Sequence, residues 1–380
     1  MTPNPNTVFF LVAGEESGDF HGARLISALK EKCPDASFVG HGGNKMKSAG
    51  MEIFEHVDNL AMMGFTEVLK HLPYMINVMG KTLEKIQEIK PRRLILIDYP
   101  GFNLRLAKNI HPLGLPITYF IMPQVWAWKE KRVKTIRKYI DQALCIFPFE
   151  QEWFEQRGIN AHFVGHPFTD FHKPTMHKKA FFKKHHLDIN KPLLVLFPGS
   201  RQQEIDRHLP ILIKTVSLIN NNNLQIIIGK APNISLPTIP NHWKIEEEDT
   251  SLCLEHGTAV LTSSGTATLQ SAVQDIPAVV SYKLSTGSWF LAKNLSKVPF
   301  AAMTNLIAGK QIVPEFLQNE MTPEKLANAV KPLLNNSHER KNMLMGYEEV
   351  RRTLGMPGTY ERAADAILGK IAAETQRSQR

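Results

Sequence analysis

Short apolar runs, each followed by a helix-like pattern, recur along the chain in two series. The first comprises "TVFFLVAG" (Thr7–Gly14), "ASFVG" (Ala36–Gly40), "RRLILID" (Arg92–Asp98), "LPITYFI" (Leu115–Ile121), "QALCIF" (Gln142–Phe147) and "AHFVG" (Ala161–Gly165). The second comprises "PLLVLFPGS" (Pro192–Ser200), "LQIIIGK" (Leu224–Lys230), "GTAVLTSSG" (Gly257–Gly265) and "PAVVSYK" (Pro277–Lys283). Strands alternating with amphipathic helices predict parallel sheets with right-handed crossovers. Nearly continuous apolar strands predict sheets covered on both faces. The expected fold is therefore α/β: two Rossmann-like domains, residues 1–170 and 191–354, facing each other across a cleft. The polar, basic stretch "HPFTDFHKPTMHKKAFFKKHH" between them reads as a linker, 171–190. "GMPG" (Gly355–Gly358) breaks the chain before a last helix and a basic tail, 355–380.

In open α/β sheets ligands bind beyond the carboxyl ends of the strands, and the informative loops all lie there. In "LFPGSRQQE" a strand ends in Pro198-Gly199-Ser200 before a helix. Helix N–H groups, the Ser200 hydroxyl and the Arg201 guanidinium suit a diphosphate; Ser200 is equally placed to cap its helix. "LTSSGTATLQ" repeats the logic at Ser264, Gly265 and Thr266, where small residues permit close approach or tight packing. "LILIDYPGFN" puts Asp98 at a strand end, where a carboxylate serves as a proton acceptor or as an N-cap. The first loop, "GEESGDFHG", lacks the dinucleotide glycine spacing and carries Glu15, Glu16 and Asp19 where phosphate would be repelled. No metal-ligand spacing appears among the fifteen histidines, and "HKKAFFKKHH" reads as solvated rather than as a ligand cluster.

Composition narrows the partners. The net charge of +9 fits anionic ones: membrane lipid, nucleic acid or phosphorylated metabolites. Between Lys70 and Lys138 fourteen Lys and Arg stand against four Asp and Glu, which accounts for the whole excess. Beside this run lies an apolar segment, Ala61–Ile86, with Met62, Met63, Phe65, Leu69, Leu72, Tyr74, Met75 and Met79. Such a segment is a core helix or a lipid-facing surface. No stretch approaches the ~20 apolar residues of a membrane span, and no signal peptide precedes the first strand. Three widely spaced cysteines fit neither a disulfide framework nor a zinc site, so a reducing compartment is expected.

"VAGEESGDFHGARL", "MMGFTEVL", "IDYPGFN", "PQVWAWKEKRVK", "FPFE", "VGHP", "PGSRQQEI" and "SGTATLQ" occur in this order, and together they resemble the lipid-A-disaccharide synthase family. The resemblance covers essentially the whole chain. It implies the GT-B architecture and an inverting, metal-independent glycosyltransferase without a cofactor. A 2,3-diacylglucosamine unit would pass from UDP to the 6-hydroxyl of 2,3-diacylglucosamine 1-phosphate, giving a β-1,6 disaccharide phosphate in lipopolysaccharide biosynthesis. It further implies Asp98 as base and a nucleotide site of Ser200, Arg201, Ser264, Gly265, Thr266, Gln270 and Asn305. Gln270 stands where the family often has Glu, so a ribose contact there would be uncharged. Gly14, Glu15, Glu16, Ser17, Asp19 and Trp126 fall to the acceptor side, for sugar contact or loop order; Asp19 is equally placed to cap its own helix. A peripheral site on the inner face of the bacterial inner membrane follows, with no nucleic acid. The terminal helix either packs back on an N-terminal domain or exchanges into a homodimer.

Three other readings compete. Another UDP-sugar enzyme, an epimerase or a peptidoglycan glycosyltransferase, shares the loops; the apolar segment argues against a soluble-sugar epimerase. A non-catalytic cationic membrane protein explains the charge but not the strand ends. A nicotinamide dehydrogenase fails on the glycine order.

Overall fold

A computed structural model of the chain describes residues 7–61, 68–171, 175–232, 234–263, 265–285, 289 and 298–378. They form two compact units, 1–170 with 356–380, and 171–355.

The first unit holds a seven-stranded sheet: β1 (Val8–Val12), β2 (Ser37–Gly42), β3 (Glu52–His56), β4 (Arg93–Ile97), β5 (Ile117–Phe120), β6 (Gln142–Cys145) and β7 (Ala161–Phe163). Their order is β3-β2-β1-β4-β5-β6-β7, and every pair is parallel. The second unit holds β8 (Leu193–Phe197), β9 (Gln225–Gly229), β10 (Lys244–Glu246), β11 (Ala259–Thr262), β12 (Ala278–Tyr282) and β13 (Glu315–Leu317). Their order, β10-β9-β8-β11-β12-β13, repeats the first, again all parallel. The central strands are apolar because helices cover both faces: Phe9–Val12, Leu94–Ile97 and Leu193–Leu196 are fully buried. Strand order reverses between β1 and β4, and between β8 and β11. A crevice opens at such a switch point. The loops after these four strands are the ones the sequence singled out.

The helix Glu16–Lys32 shows how the chain specifies its cover. Gly18, Gly22, Leu25, Ile26 and Leu29 recur every three or four residues and are buried. Glu16 and Asp19 in the first turn and Lys30 and Lys32 in the last oppose the helix dipole.

The linker reading of 171–190 needs correction. Lys178–Lys184 is a helix whose Phe181 and Phe182 are buried, and His185 bonds Glu246 at 2.9 Å. Two aromatic residues hidden among lysines make this segment part of the second unit's core. The terminal helix Thr359–Ser378 lies in the first unit, against Glu16–Lys32. Arg93 meets Glu374 there at 2.6 Å, and Gln142 donates to the Ala366 carbonyl at 2.8 Å.

Candidate active site

In the first unit the site begins at the end of β4. Asp98 and Tyr99 both adopt left-handed backbone, with φ of 44° and 49°. Such a conformation costs about 1–3 kcal/mol per non-glycine residue and persists only where the surroundings hold it. Here three groups do. Tyr119 Oη donates to the Asp98 carbonyl at 2.5 Å and Asn103 Nδ2 at 2.7 Å. The Tyr99 ring packs against Gly14, where a Cβ would come 2.1 Å from its Cδ1. The glycine of the opening loop is thus required by the residue beside Asp98, not by a phosphate.

The Asp98 side chain opens into a cavity of about 210 Å³ with Pro123, Val125, Trp128, Arg132 and Phe147 on its walls. Burial, then the negative charge of Glu15, push its carboxyl up to about 6, against a hydrogen bond from the Tyr99 backbone. A carboxylate poised there is a competent base near neutral pH.

The other opening-loop residues separate. Glu15, Glu16 and Ser17 are exposed, and Glu16 pairs with Lys45 at 3.0 Å. Asp19 is buried and accepts from the backbone N–H groups of Gly43, Lys45 and Met46 at 2.7, 3.0 and 2.9 Å. A sugar contact for Asp19 is therefore corrected: it caps the next helix, Asn44–Ser48, rather than its own, and ties the two loops together. Trp126 is corrected as well. It is buried between Phe147 and Phe149, and its indole N–H donates to Glu150 Oε1 at 2.9 Å. Trp128, the second tryptophan of "VWAW", is the one that is 47% exposed and faces Asp98's cavity.

In the second unit a cavity of about 690 Å³ stands over the β8–β11 switch point. Ser200, Arg201, Gly265, Thr266 and Gln270 all line it, with Glu204 and Tyr282. Ser264 lies outside the described residues. The loop after β8 differs from expectation. Glu204 Oε2 accepts from the N–H groups of Ser200 and Arg201 at 2.9 and 3.3 Å, and Tyr282 donates to Glu204 Oε1 at 2.8 Å. The helix's own third residue occupies donors that the sequence reading assigned to a diphosphate. Burial opposes ionisation of Glu204, but the Tyr282 and loop hydrogen bonds outweigh it and hold the carboxyl below its usual range. Gly199 (φ 142°) permits this fold-back, since a Cβ would meet Glu204 at 2.5 Å. The Arg201 side chain is 78% exposed, and the helix Gly265–Val273 presents its first turn to the same cavity.

Asn305 does not line this cavity. Fully buried, its amide donates to the Val313 carbonyl and to Glu315, at 2.9 and 2.8 Å, and accepts from the N–H groups of Ile312 and Val313. Glu315 in turn holds the N–H groups of Ala301 and Ala302, and Ala301 is in the wall. Asn305 lies behind the cavity wall and is linked to it through Glu315 and Ala301.

Of the apolar segment, Met62, Met63 and Phe65 and the side chains of Leu69 and Leu72 lie outside the described residues. Tyr74, Met75 and Met79 are half-buried against the first unit's core, and Tyr74 donates to Glu55 at 3.0 Å. They serve packing at least as much as any surface; Ile76, 64% exposed, is the outward residue of that turn. No described helix is long and apolar enough to cross a membrane. Among the described residues no three His, Cys, Asp or Glu side chains gather as metal ligands, and Cys33, Cys145 and Cys253 are free and buried.

Two Rossmann-type units with candidate ligand loops at their switch points define the GT-B fold. The calicheamicin glycosyltransferase CalG4 is similar in fold, with a TM-score of 0.59 at 15% identity over 98% of this chain and 99% of that one. The S. aureus MnaA–UDP structure matches at 0.67 and 13%, over 97% of each. The particular family follows from sequence: residues 9–368 match the lipid-A-disaccharide synthetase family, and the chain belongs to it. The lipid-A-disaccharide synthase of Acidobacterium capsulatum is 37% identical over 98% of this chain and 97% of its own. The family reaction joins two acylated glucosamine units, one delivered from UDP, into the lipid A disaccharide.

Proposed function

We propose that Asp98 is the general base of this transfer. It would take the proton of the acceptor's 6-hydroxyl as that oxygen attacks the anomeric carbon from the face opposite UDP, giving inversion in one displacement. The observation that carries this reading is a carboxyl raised to about 6, held on a strained strand end and open to a cavity. No nucleophile is required. Charge builds on the departing diphosphate, and fixed donors must balance it. Arg201 and the first turn of Gly265–Val273 supply them, with Gln270 on the ribose and Glu204 as the brace that shapes the loop.

The test is an assay with UDP-2,3-diacylglucosamine and 2,3-diacylglucosamine 1-phosphate, with and without chelator. We expect disaccharide phosphate and UDP in equal amounts, at the same rate in both. UDP release without acceptor, or loss of rate with chelator, would overturn the mechanism.

Both substrates are acylated, so we place the enzyme on an anionic membrane surface at the cytoplasmic face. The basic excess of 70–138 and the outward Ile76 support this. Co-sedimentation with phosphatidylglycerol vesicles, reversed by salt, is expected; equal binding to neutral vesicles would count against it.

A further inference from the structure

The small cavity of the first unit contains a cation that the base does not explain. Arg132 shares its walls with Asp98. It is half-buried, and among the described residues no carboxylate lies within ion-pairing distance of it. The nearest acid in sequence, Glu130, is instead held by Arg157 through two hydrogen bonds of 3.0 and 3.2 Å. A guanidinium in a cavity wall is costly to leave without an anion, and its planar fork matches a phosphate.

Its position is fixed. Lys129 adopts left-handed backbone (φ 55°), its carbonyl accepts from the Arg132 N–H at 3.0 Å, and the helix Val133–Tyr139 follows directly. The Arg132 guanidinium carbon lies 6.0 Å from the centroid of the Trp128 ring. Asp98 and Arg132 also share a neighbour. Burial raises the Tyr119 hydroxyl well above its usual pKa, the charge of Asp98 adds to this, and that of Arg132 opposes it. The cavity therefore offers a base at one point, a cation at another and an aromatic face at its mouth. Its 210 Å³ is below the ~300–1,000 Å³ of pockets that enclose a drug-sized ligand, which suits one sugar ring with its chains outside.

We infer that Arg132 is the subsite for the anomeric phosphate of the acceptor, the group the acceptor carries where the donor carries UDP, and that it sets the sugar so that its 6-hydroxyl meets Asp98. This rests on the proposed role of Asp98. Trp128 would cover the apolar face of the same ring.

The experiment compares two acceptors, 2,3-diacylglucosamine 1-phosphate and the same sugar without phosphate, in the wild type, Arg132→Ala and Arg132→Lys. In the wild type the phosphorylated acceptor should have the higher kcat/KM. In Arg132→Ala that ratio should fall by about 10- to 100-fold, the loss of one charge-assisted pair, through the acceptor's KM. Arg132→Lys should recover part of it, and the donor's KM should stay within twofold. A ratio kept at the wild-type value, whether both acceptors fall together or neither does, would overturn the subsite. So would a rise in the donor's KM alone, which would assign Arg132 to the UDP diphosphate. A wild type that forms disaccharide with neither acceptor would remove the functional reading itself, a result distinct from a wild type that is active without discriminating.

Discussion

If Asp98 is the base, as proposed, two residues should set the pH dependence of turnover, Asp98 and Glu15. Asp98 must be ionised to accept a proton, and its pKa is raised to about 6, so the rate should fall about tenfold per pH unit below 6. Burial is the larger cause and Glu15 the second. Glu15→Gln should therefore move the acid limb to lower pH but leave it above that of an ordinary carboxylate. Asp98→Asn should lower kcat by about 10²–10⁴-fold with an unchanged circular dichroism spectrum. A pH profile of kcat for the three proteins decides this; an unmoved limb in Glu15→Gln would remove Glu15 from the account. The sequence made Asp98 legible as a strand-end carboxylate. It did not show the neighbours that tune it, because Gly14 and Tyr99, 85 positions apart, meet only once β1 and β4 pair.

At the level of elements, the loop of 122–132 is tied to a buried acid, the last residue of "FPFE", to which the sequence assigned no role. Glu150 opens the helix Pro148–Glu155, caps the Phe147 N–H at 3.2 Å and receives the Trp126 indole. Burial pushes its carboxyl up to about 7, opposed by those hydrogen bonds. Removing the indole N–H leaves one donor fewer on a fully buried oxygen, a loss of about 1–3 kcal/mol. Trp126→Phe keeps most of the ring and should lower the melting temperature by about 2–10 °C in a unit of this size. Since Trp128 and Arg132 ride on the same loop, the acceptor's KM should rise more than the donor's. Thermal unfolding with the two KM values checks it; a rise in the donor's KM alone would refute the link. The second unit teaches the same lesson. Gly-Ser-Arg was legible as a helix start, whereas the fold-back of Glu204 onto its N–H groups depends on Tyr282 from β12. Likewise Asn305 was legible through the resemblance of its segment, but its bonds to the backbone of Ile312 and Val313 and to the Glu315 side chain needed the tertiary fold.

At the level of the whole molecule, the chain leaves its first unit at Asp170 and returns to it at Met356. Local pattern foresaw the central strands of both sheets, because buried parallel strands are written in consecutive residues, but not the edge strands β3, β10 and β13. It misread charge where charge is buried. Arg93, one of the fourteen basic residues counted between Lys70 and Lys138, is wholly enclosed at the start of β4. Its guanidinium donates to Thr118 at 3.1 Å and pairs with Glu374 of the terminal helix at 2.6 Å. Glu374 is thus the charge that faces a cation water does not reach. Breaking such a pair from one side leaves a buried charge and costs about 3–5 kcal/mol, whereas replacing both partners by apolar groups is close to neutral. Glu374→Ala should therefore lower the melting temperature of the first unit markedly. The double variant Arg93→Met, Glu374→Leu should recover most of that loss, although it removes one more polar group. Calorimetry of the two variants against the parent gives the answer. A double variant less stable than Glu374→Ala would mean that the terminal helix is held chiefly by its apolar face, through Ile367 and Ile371, and not by the pair.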